Sequence, residues 1–88
     1  MSTYEVWLGT PNQMDKAASK ATWREAQVWV RDYLDDSLLP QARKYQNAAV
    51  PRINEVRELM MKSHPTDLPL AWTFNYLEIT HKIEMRST

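Results

Sequence analysis

The segment from Thr22 to Leu34 constrains the fold most, because it combines a helix start signal with a helical hydrophobic pattern. Thr22 and Glu25 have the spacing of a capping box, in which hydroxyl and carboxylate satisfy amides at the helix start. At about 100° per residue, one side of the helix is apolar. That side holds Trp23, Ala26, Val30, Tyr33 and Leu34. We therefore predict an amphipathic helix, running to about Asp35, that lies on an apolar layer.

The N-terminal residues predict a β-strand. Tyr4, Val6 and Leu8 alternate with Glu5 and Trp7 on opposite faces, and turn-forming residues 9–12 follow. Residues 13–21 favour helix by propensity, but they are too few and too weakly patterned to decide. A short second strand and an irregular lead-in to the main helix both stay open.

Three carboxylates, those of Asp32, Asp35 and Asp36, crowd the predicted end of the main helix, where the helix dipole disfavours anions. Their spacing fits a cation site. It also fits a second helix capped by Asp36 or Ser37, with Pro40 in its first turn. We favour the cap and leave cation binding open.

Two further helices are expected between Leu38 and Lys62. Apolar residues recur at helical spacing from Leu38 to Ala49, and Pro51 ends or kinks that helix. Pro51 also suits the first turn of a third helix, whose apolar face includes Ile53 and Val56. A connection rich in Pro follows.

The last segment, Ala71 to Arg86, predicts one long strand, because it is rich in aromatic and β-branched residues and contains no turn dipeptide. The large apolar residues switch from even-numbered to odd-numbered positions near Asn75. This switch indicates a bulge, or two halves of the strand that bury opposite faces. Strand one is too short to pair with all of it. We therefore expect a second chain along part of Thr73 to Arg86, with a bent strand whose first half is loop as the alternative.

Composition excludes several classes of function. The 88 residues suit a single compact domain over 1–88 with one modest core. The chain has no Cys and one Gly, which excludes disulfides, a phosphate-binding glycine loop and a nucleophile elbow. Without a signal-peptide pattern or an apolar run of about 18 residues, it predicts a cytoplasmic protein with no membrane partner.

Candidate catalytic and metal-binding residues are few. His64 lies in the Pro-rich connection and His81 on an apolar strand face, and neither belongs to a Ser-His-Asp pattern. His64 and Asp67 are suitable metal ligands, but Pro65 lies between them and no third ligand is near. We predict a protein that is not an enzyme and has no metal site and no cofactor.

The aromatic residues allow two kinds of partner. Trp72, Phe74 and Tyr76 could stack on bases while Lys82 and Arg86 meet phosphates. However, Lys plus Arg equals Asp plus Glu at 11 each, so the chain lacks the basic field that nucleic acids attract. We favour a core or a protein interface as the place of these rings over base stacking, and the neutral charge disfavours nucleic acid.

Other candidate contacts lie outside this strand. Trp29 falls off the buried stripe of the main helix, Trp7 lies opposite Val6, and Arg43 and Arg57 belong to a basic cluster that acidic residues dilute. The predicted partner-binding residues are Trp7, Trp29, Arg43, Arg57, Trp72, Phe74, Tyr76, Lys82 and Arg86.

Together these patterns predict an α+β fold: a small, mainly antiparallel sheet, holding the N-terminal strand and the long C-terminal strand, with about three helices on one face. The expected core is Tyr4, Val6, Leu8, Trp23, Ala26, Val30, Leu34, Ile53, Val56, Ile79 and Ile83. We expect a non-enzymatic protein-binding module, such as a small phage-type accessory protein that inhibits or modulates a larger complex, with a homodimer through the C-terminal strand as one arrangement. The alternative is a single-stranded nucleic-acid-binding protein. The sequence leaves the partner open.

Overall fold

A computed structural model describes residues 3–88 and contains one four-stranded antiparallel sheet. The strands lie in the order β2-β1-β4-β3, so β1 and β4 are central and β2 and β3 form the edges. Their bounds are β1 Tyr4–Thr10, β2 Gln13–Lys20, β3 Leu70–Tyr76 and β4 Ile79–Ser87. The α+β class and the antiparallel sheet are confirmed.

The helices form two arms rather than the three expected. The α-helical segments are α1 Trp23–Tyr33, α2 Leu39–Tyr45 and α3 Val50–Lys62; a π-helical turn spans Leu34–Leu38, and 3-10 turns span Asn47–Ala49 and Pro65–Asp67. The π-helical turn joins α1 to α2 without a break, so these segments make one arm and α3 makes the other. The first arm packs on β1 and β2, and α3 packs on β3.

Local sequence explains both the start and the widening of the first arm. Thr22 caps α1 as predicted, because its hydroxyl accepts a hydrogen bond from the amide of Glu25 at 3.1 Å. The prediction of an end near Asp35 with a new cap at Asp36 or Ser37 was wrong. Pro40 has no amide and its ring would collide with the carbonyl of the preceding turn. The helix instead widens, and the Leu39 amide bonds to the Leu34 carbonyl five residues back.

The C-terminal segment is a hairpin, so the prediction of one long strand was wrong. The chain reverses at Leu77 and Glu78, which have φ angles of 52° and 65°. These angles suit a tight two-residue hairpin turn, normally built with Asn or Gly. Tyr76 pairs with Ile79 and Trp72 with Ile83, so even-numbered residues of β3 share a face with odd-numbered residues of β4. The switch of apolar residues from even-numbered to odd-numbered positions is therefore caused by this turn. There is no bulge at Asn75, which pairs regularly with Thr80.

Residues 13–20, left open from the sequence, form β2. Their hairpin with β1 contains a bulge opposite Val6 and Trp7. Gly9 is required where the two strands approach, because a Cβ there would lie 2.1 Å from the Gln13 carbonyl oxygen. A short run with little strand propensity is thus held in the sheet by its neighbour.

The core lies between the helical arms and one sheet face. Seven of the predicted core residues are buried, namely Val6, Ala26, Val30, Leu34, Ile53, Val56 and Ile83. Tyr4, Leu8 and Trp23 pack at its margin and are half-buried. Ile79 was wrongly assigned to the core: it is 51% exposed, because it lies beside the hairpin turn.

Candidate functional site

The candidate site is an open groove between α1 and the end of β2, which we call the Trp29 groove. It is lined by Lys20, Arg24, Glu25, Val28, Trp29 and Asp32, and has a volume of about 330 Å³. Trp29 and Val28 are half-buried. They give the groove an apolar centre in an otherwise charged surface.

Helical spacing aligns the groove residues. Val28 and Trp29 lie three and four residues after Glu25, and Asp32 lies four and three residues after them, so all four form one ridge along α1. That ridge lies on the flank of α1 away from α3, because Gln27, on the other flank, donates hydrogen bonds of 3.3 Å to the Met60 and Met61 carbonyls of α3. The ridge therefore faces the β2 side of the molecule.

The Trp29 ring is positioned by a second aromatic residue. It stacks on the Tyr33 ring with the centroids 5.8 Å apart and the planes 10° apart. Tyr33 is partly buried, and this burial raises the pKa of its hydroxyl. Tyr33, one helical turn after Trp29, thus holds the Trp29 ring in place. This stacking reduces the conformational entropy that the ring would lose when a partner binds.

Charge is divided along the groove. Lys20 and Arg24 contribute positive charge near the start of α1, and Asp32 contributes negative charge about two turns beyond Arg24. Glu25 lies beside the basic pair, and Asp32 pairs with Arg31 at 3.4 Å. A ligand lying along α1 would meet opposite charges at the two ends of the apolar centre.

The helix-free face of the sheet holds three of the predicted contact residues, Trp7, Lys82 and Arg86. The Arg86 guanidinium lies 4.1 Å from the Trp7 ring centroid, and the Trp7 indole donates to Glu5 at 3.1 Å. Arg86 and Lys82 both pair with Glu84. The hydrogen bond from Arg86, aided by Lys82, lowers the pKa of the Glu84 carboxyl. Trp7 is thus engaged within the molecule rather than freely presented.

The aromatic residues of β3 face the helices. Phe74 and Tyr76 are 4% and 5% exposed, and Trp72 is half-buried at the margin of the core. Phe74 also stacks on His81, with ring centroids 5.3 Å apart. Because Phe74 and Tyr76 are core residues, neither a protein nor a nucleic-acid base can reach them in this fold.

The predicted basic cluster is divided by ion pairs. Arg57 forms a bidentate pair with Asp35, with hydrogen bonds of 2.8 and 3.0 Å. The Asp35 hydrogen bond raises the pKa of Arg57. Arg52 pairs with Glu55, and Arg43 is exposed on α2. Asp35 therefore links α1's arm to α3 instead of joining Asp32 and Asp36 around a cation.

Neither a cluster of metal-binding side chains nor a membrane-spanning helix is found in the described part of the chain. Within residues 3–88 no group of three or more His, Asp or Glu residues is arranged to hold a metal ion. None of the helices in that range has the length and apolar character needed to cross a membrane. Comparison with protein-family models, curated proteins and solved structures gave no match.

The sequence pointed to only part of the groove. It singled out Trp29, because this residue falls off the buried stripe of α1. Lys20, Arg24, Glu25 and Asp32 were not predicted as contact residues. The helical spacing of Glu25, Trp29 and Asp32 was readable, but Lys20 joins them only because residues 13–20 form a strand that ends beside α1.

Proposed function

We propose that this protein is a non-enzymatic protein-binding module whose contact surface is the Trp29 groove. The observation that supports this most is Trp29 itself, a half-buried indole at the centre of an open groove, held by Tyr33. Trp is the residue most enriched among those that dominate binding energy in protein interfaces.

The shape of the groove favours a protein segment over a small molecule. Small-molecule sites are concave and bury most of the ligand surface, whereas this groove is open along one flank of α1. An amphipathic helix laid along α1 would place an apolar side chain against Val28 and Trp29. Acidic residues of the partner would face Lys20 and Arg24, and a basic residue would face Asp32. Inhibition or modulation of a larger protein complex is the role we propose for such binding.

The test is quantitative capture of partners from lysate by immobilised protein, followed by an affinity measurement on the purified partner. We expect Trp29→Ala to weaken binding by at least about 2 kcal/mol, as for a central aromatic contact. Tyr45→Ala is the matched control, because Tyr45 is an aromatic residue of the same helical arm, is 62% exposed and lies outside the groove.

Arg24→Glu provides a second variant that leaves the core untouched, since Arg24 is exposed. It should slow association and change its salt dependence, because it reverses charge at one end of the groove. Unchanged affinity in both groove variants, with folding verified by circular dichroism, would refute the assignment of this surface.

A further inference from the structure

The residues of β3 itself include none of the features that usually protect an edge strand, and the edge is contacted by one side chain of the adjacent helix, Arg52. β3 consists of Leu70, Ala71, Trp72, Thr73, Phe74, Asn75 and Tyr76, with no charge and no Pro, and its pairing with β4 is regular throughout. Natural proteins protect such edges with charges, Pro or bulges. A seven-residue, uncharged, aromatic-rich edge is therefore available for pairing with another strand.

Backbone groups of β3 point away from β4 at alternate residues. The two-residue turn makes Tyr76 and Ile79 a hydrogen-bonded pair, so the alternation of antiparallel ladders directs the amides and carbonyls of Ala71, Thr73 and Asn75 outward. One contact supports this direction. The Thr73 carbonyl accepts a hydrogen bond of 3.0 Å from Arg52 on α3 instead of from the sheet.

We propose that β3 pairs antiparallel with β3 of a second copy of this chain, about a twofold axis at Thr73. Thr73 is the midpoint of Leu70–Tyr76, and its outward amide and carbonyl are those that an antiparallel pair exchanges across a twofold axis. The full overlap of the two strands then pairs Ala71 with Asn75 of the second copy. The product is a continuous eight-stranded sheet with the helices of both copies on one face.

The side chains of β3 are complementary to themselves in this register. On the helix side, Trp72 of one copy lies opposite the buried Phe74 of the other, twice, so the surface available for a cross-strand contact there is that of Trp72. Trp72 is only half-buried in the single chain, so it retains surface that such a pairing would cover. On the helix-free side, Thr73 meets Thr73 of the second copy, which is another favourable cross-strand pair.

The second copy is also favoured by charge and by the adjacent helix. Lys plus Arg equals Asp plus Glu at 11 each, so no net repulsion opposes self-association. Leu59, which is 46% exposed, lies two turns from Arg52 on the same flank of α3, the flank that reaches the β3 edge. Leu59 adds exposed apolar surface to that flank of α3. Arg52 retains Glu55 as its ion-pair partner when it releases Thr73.

The test is sedimentation equilibrium from roughly 1 µM to 1 mM, the range in which small interfaces dissociate. The wild type should form a dimer, and Thr73→Glu should raise its dissociation constant about fivefold or more, because like charges meet at the axis. The single chain tolerates this change, since Thr73 pairs with Lys82 on the helix-free face. Ser19→Lys, at the β2 edge opposite Glu5, is the matched control and should dimerise like the wild type.

Proline variants test the hydrogen bonds alone. Thr73→Pro removes only an outward amide, which an edge strand tolerates, and should raise the dissociation constant about 30-fold by removing two hydrogen bonds from the dimer. Ser19→Pro is its counterpart at the other edge and should have no effect. A wild type that stays monomeric at all concentrations, or a Thr73→Glu dimer as tight as the wild type, would overturn the proposal. Trp29→Ala should dimerise normally, so this result is independent of the proposed function.

Discussion

The two edges of the sheet, β2 and β3, differ in almost every feature that governs strand pairing. β2 contains Asp15, Lys16 and Lys20 and has a bulge against β1. β3 has no charged residue and no bulge. A small sheet can thus discourage association at one edge and permit it at the other, and the side chains that decide this are only a few in each strand.

The helical arms repeat this asymmetry. The α1 flank above β2 carries the Trp29 groove, with charges of both signs around an apolar centre. The α3 flank beside β3 carries Arg52, whose guanidinium reaches the strand edge, and the exposed Leu59. The two proposed associations therefore use opposite sides of the molecule: a different protein on the β2 side, and a second copy of the chain on the β3 side.

The largest effect in this comparison is expected at Gly9, which allows β1 and β2 to approach. Gly9→Ala should lower the free energy of unfolding by about 1–3 kcal/mol, because the added Cβ would collide with the Gln13 carbonyl oxygen, 2.1 Å away. Chemical denaturation measures the loss. Thr10→Ala is the neighbouring control and should change stability far less. A Gly9→Ala variant as stable as the wild type would contradict the close approach of β2 to β1 at Gly9.

A gain of intermediate size is expected at the turn of the other hairpin. Leu77 and Glu78 have positive φ angles, which cost side-chain-bearing residues free energy that Asn and Gly avoid. The double variant Leu77→Asn, Glu78→Gly should raise the free energy of unfolding by about 1 kcal/mol. Leu77→Ala is the control, because it shortens the exposed side chain without favouring the turn. Equal stability of the double variant and Leu77→Ala would argue against a strained turn.

The smallest effect concerns the helix-free face between the two edges and depends on pH. The pKa of Glu84 is lowered in the folded protein, mainly by the Arg86 hydrogen bond. The ionised Glu84 carboxylate therefore stabilises the fold fully above the pKa of this group in the unfolded chain, and this contribution is lost as pH falls through the pKa in the folded protein. Glu84→Gln should lower the free energy of unfolding by about 0.2–1 kcal/mol at neutral pH. The difference from the wild type should vanish in acid.

Thermal unfolding across pH 2–8 measures this difference, since the range spans the unfolded pKa of about 4.3. The exposed Glu78 forms no ion pair within residues 3–88, so Glu78→Gln is the matched control and should cost less stability at neutral pH than Glu84→Gln. A Glu84→Gln deficit that persists undiminished at acid pH would show that the carboxylate charge is not its cause.

The sequence predicted those parts of the fold that local chemistry determines. The Thr22 cap, the buried stripe of α1 and the alternation of β1 were readable because hydrogen bonds and periodicity act over a few residues. Trp29 was found as a candidate contact for the same reason. The expected free edge along Thr73 to Arg86 rested on a single long strand, whereas β4 is paired on both sides and only β3 has a free edge.

The failures arose where tertiary contacts override local preference. β2 begins with Gln13 and Met14, continues with only Asp, Lys, Ala and Ser residues, and becomes a strand only through pairing with β1. The hairpin turn at Leu77 and Glu78 carries no Gly, Asn, Asp or Pro that would mark it. The predicted cap at Asp36 failed because Pro40 is accommodated by a π-helical turn instead of a break. Without β2, the composition of the Trp29 groove could not be foreseen.

The difference between the two edges is tested most directly by amide hydrogen exchange, measured residue by residue at a low and a high protein concentration. We predict that the outward amides of Ala71, Thr73 and Asn75 become more protected at high concentration, while those of Met14 and Ser19 on β2 exchange at the same rate in both samples. Concentration-independent exchange along β3, or equal added protection on both edges, would contradict the asymmetry.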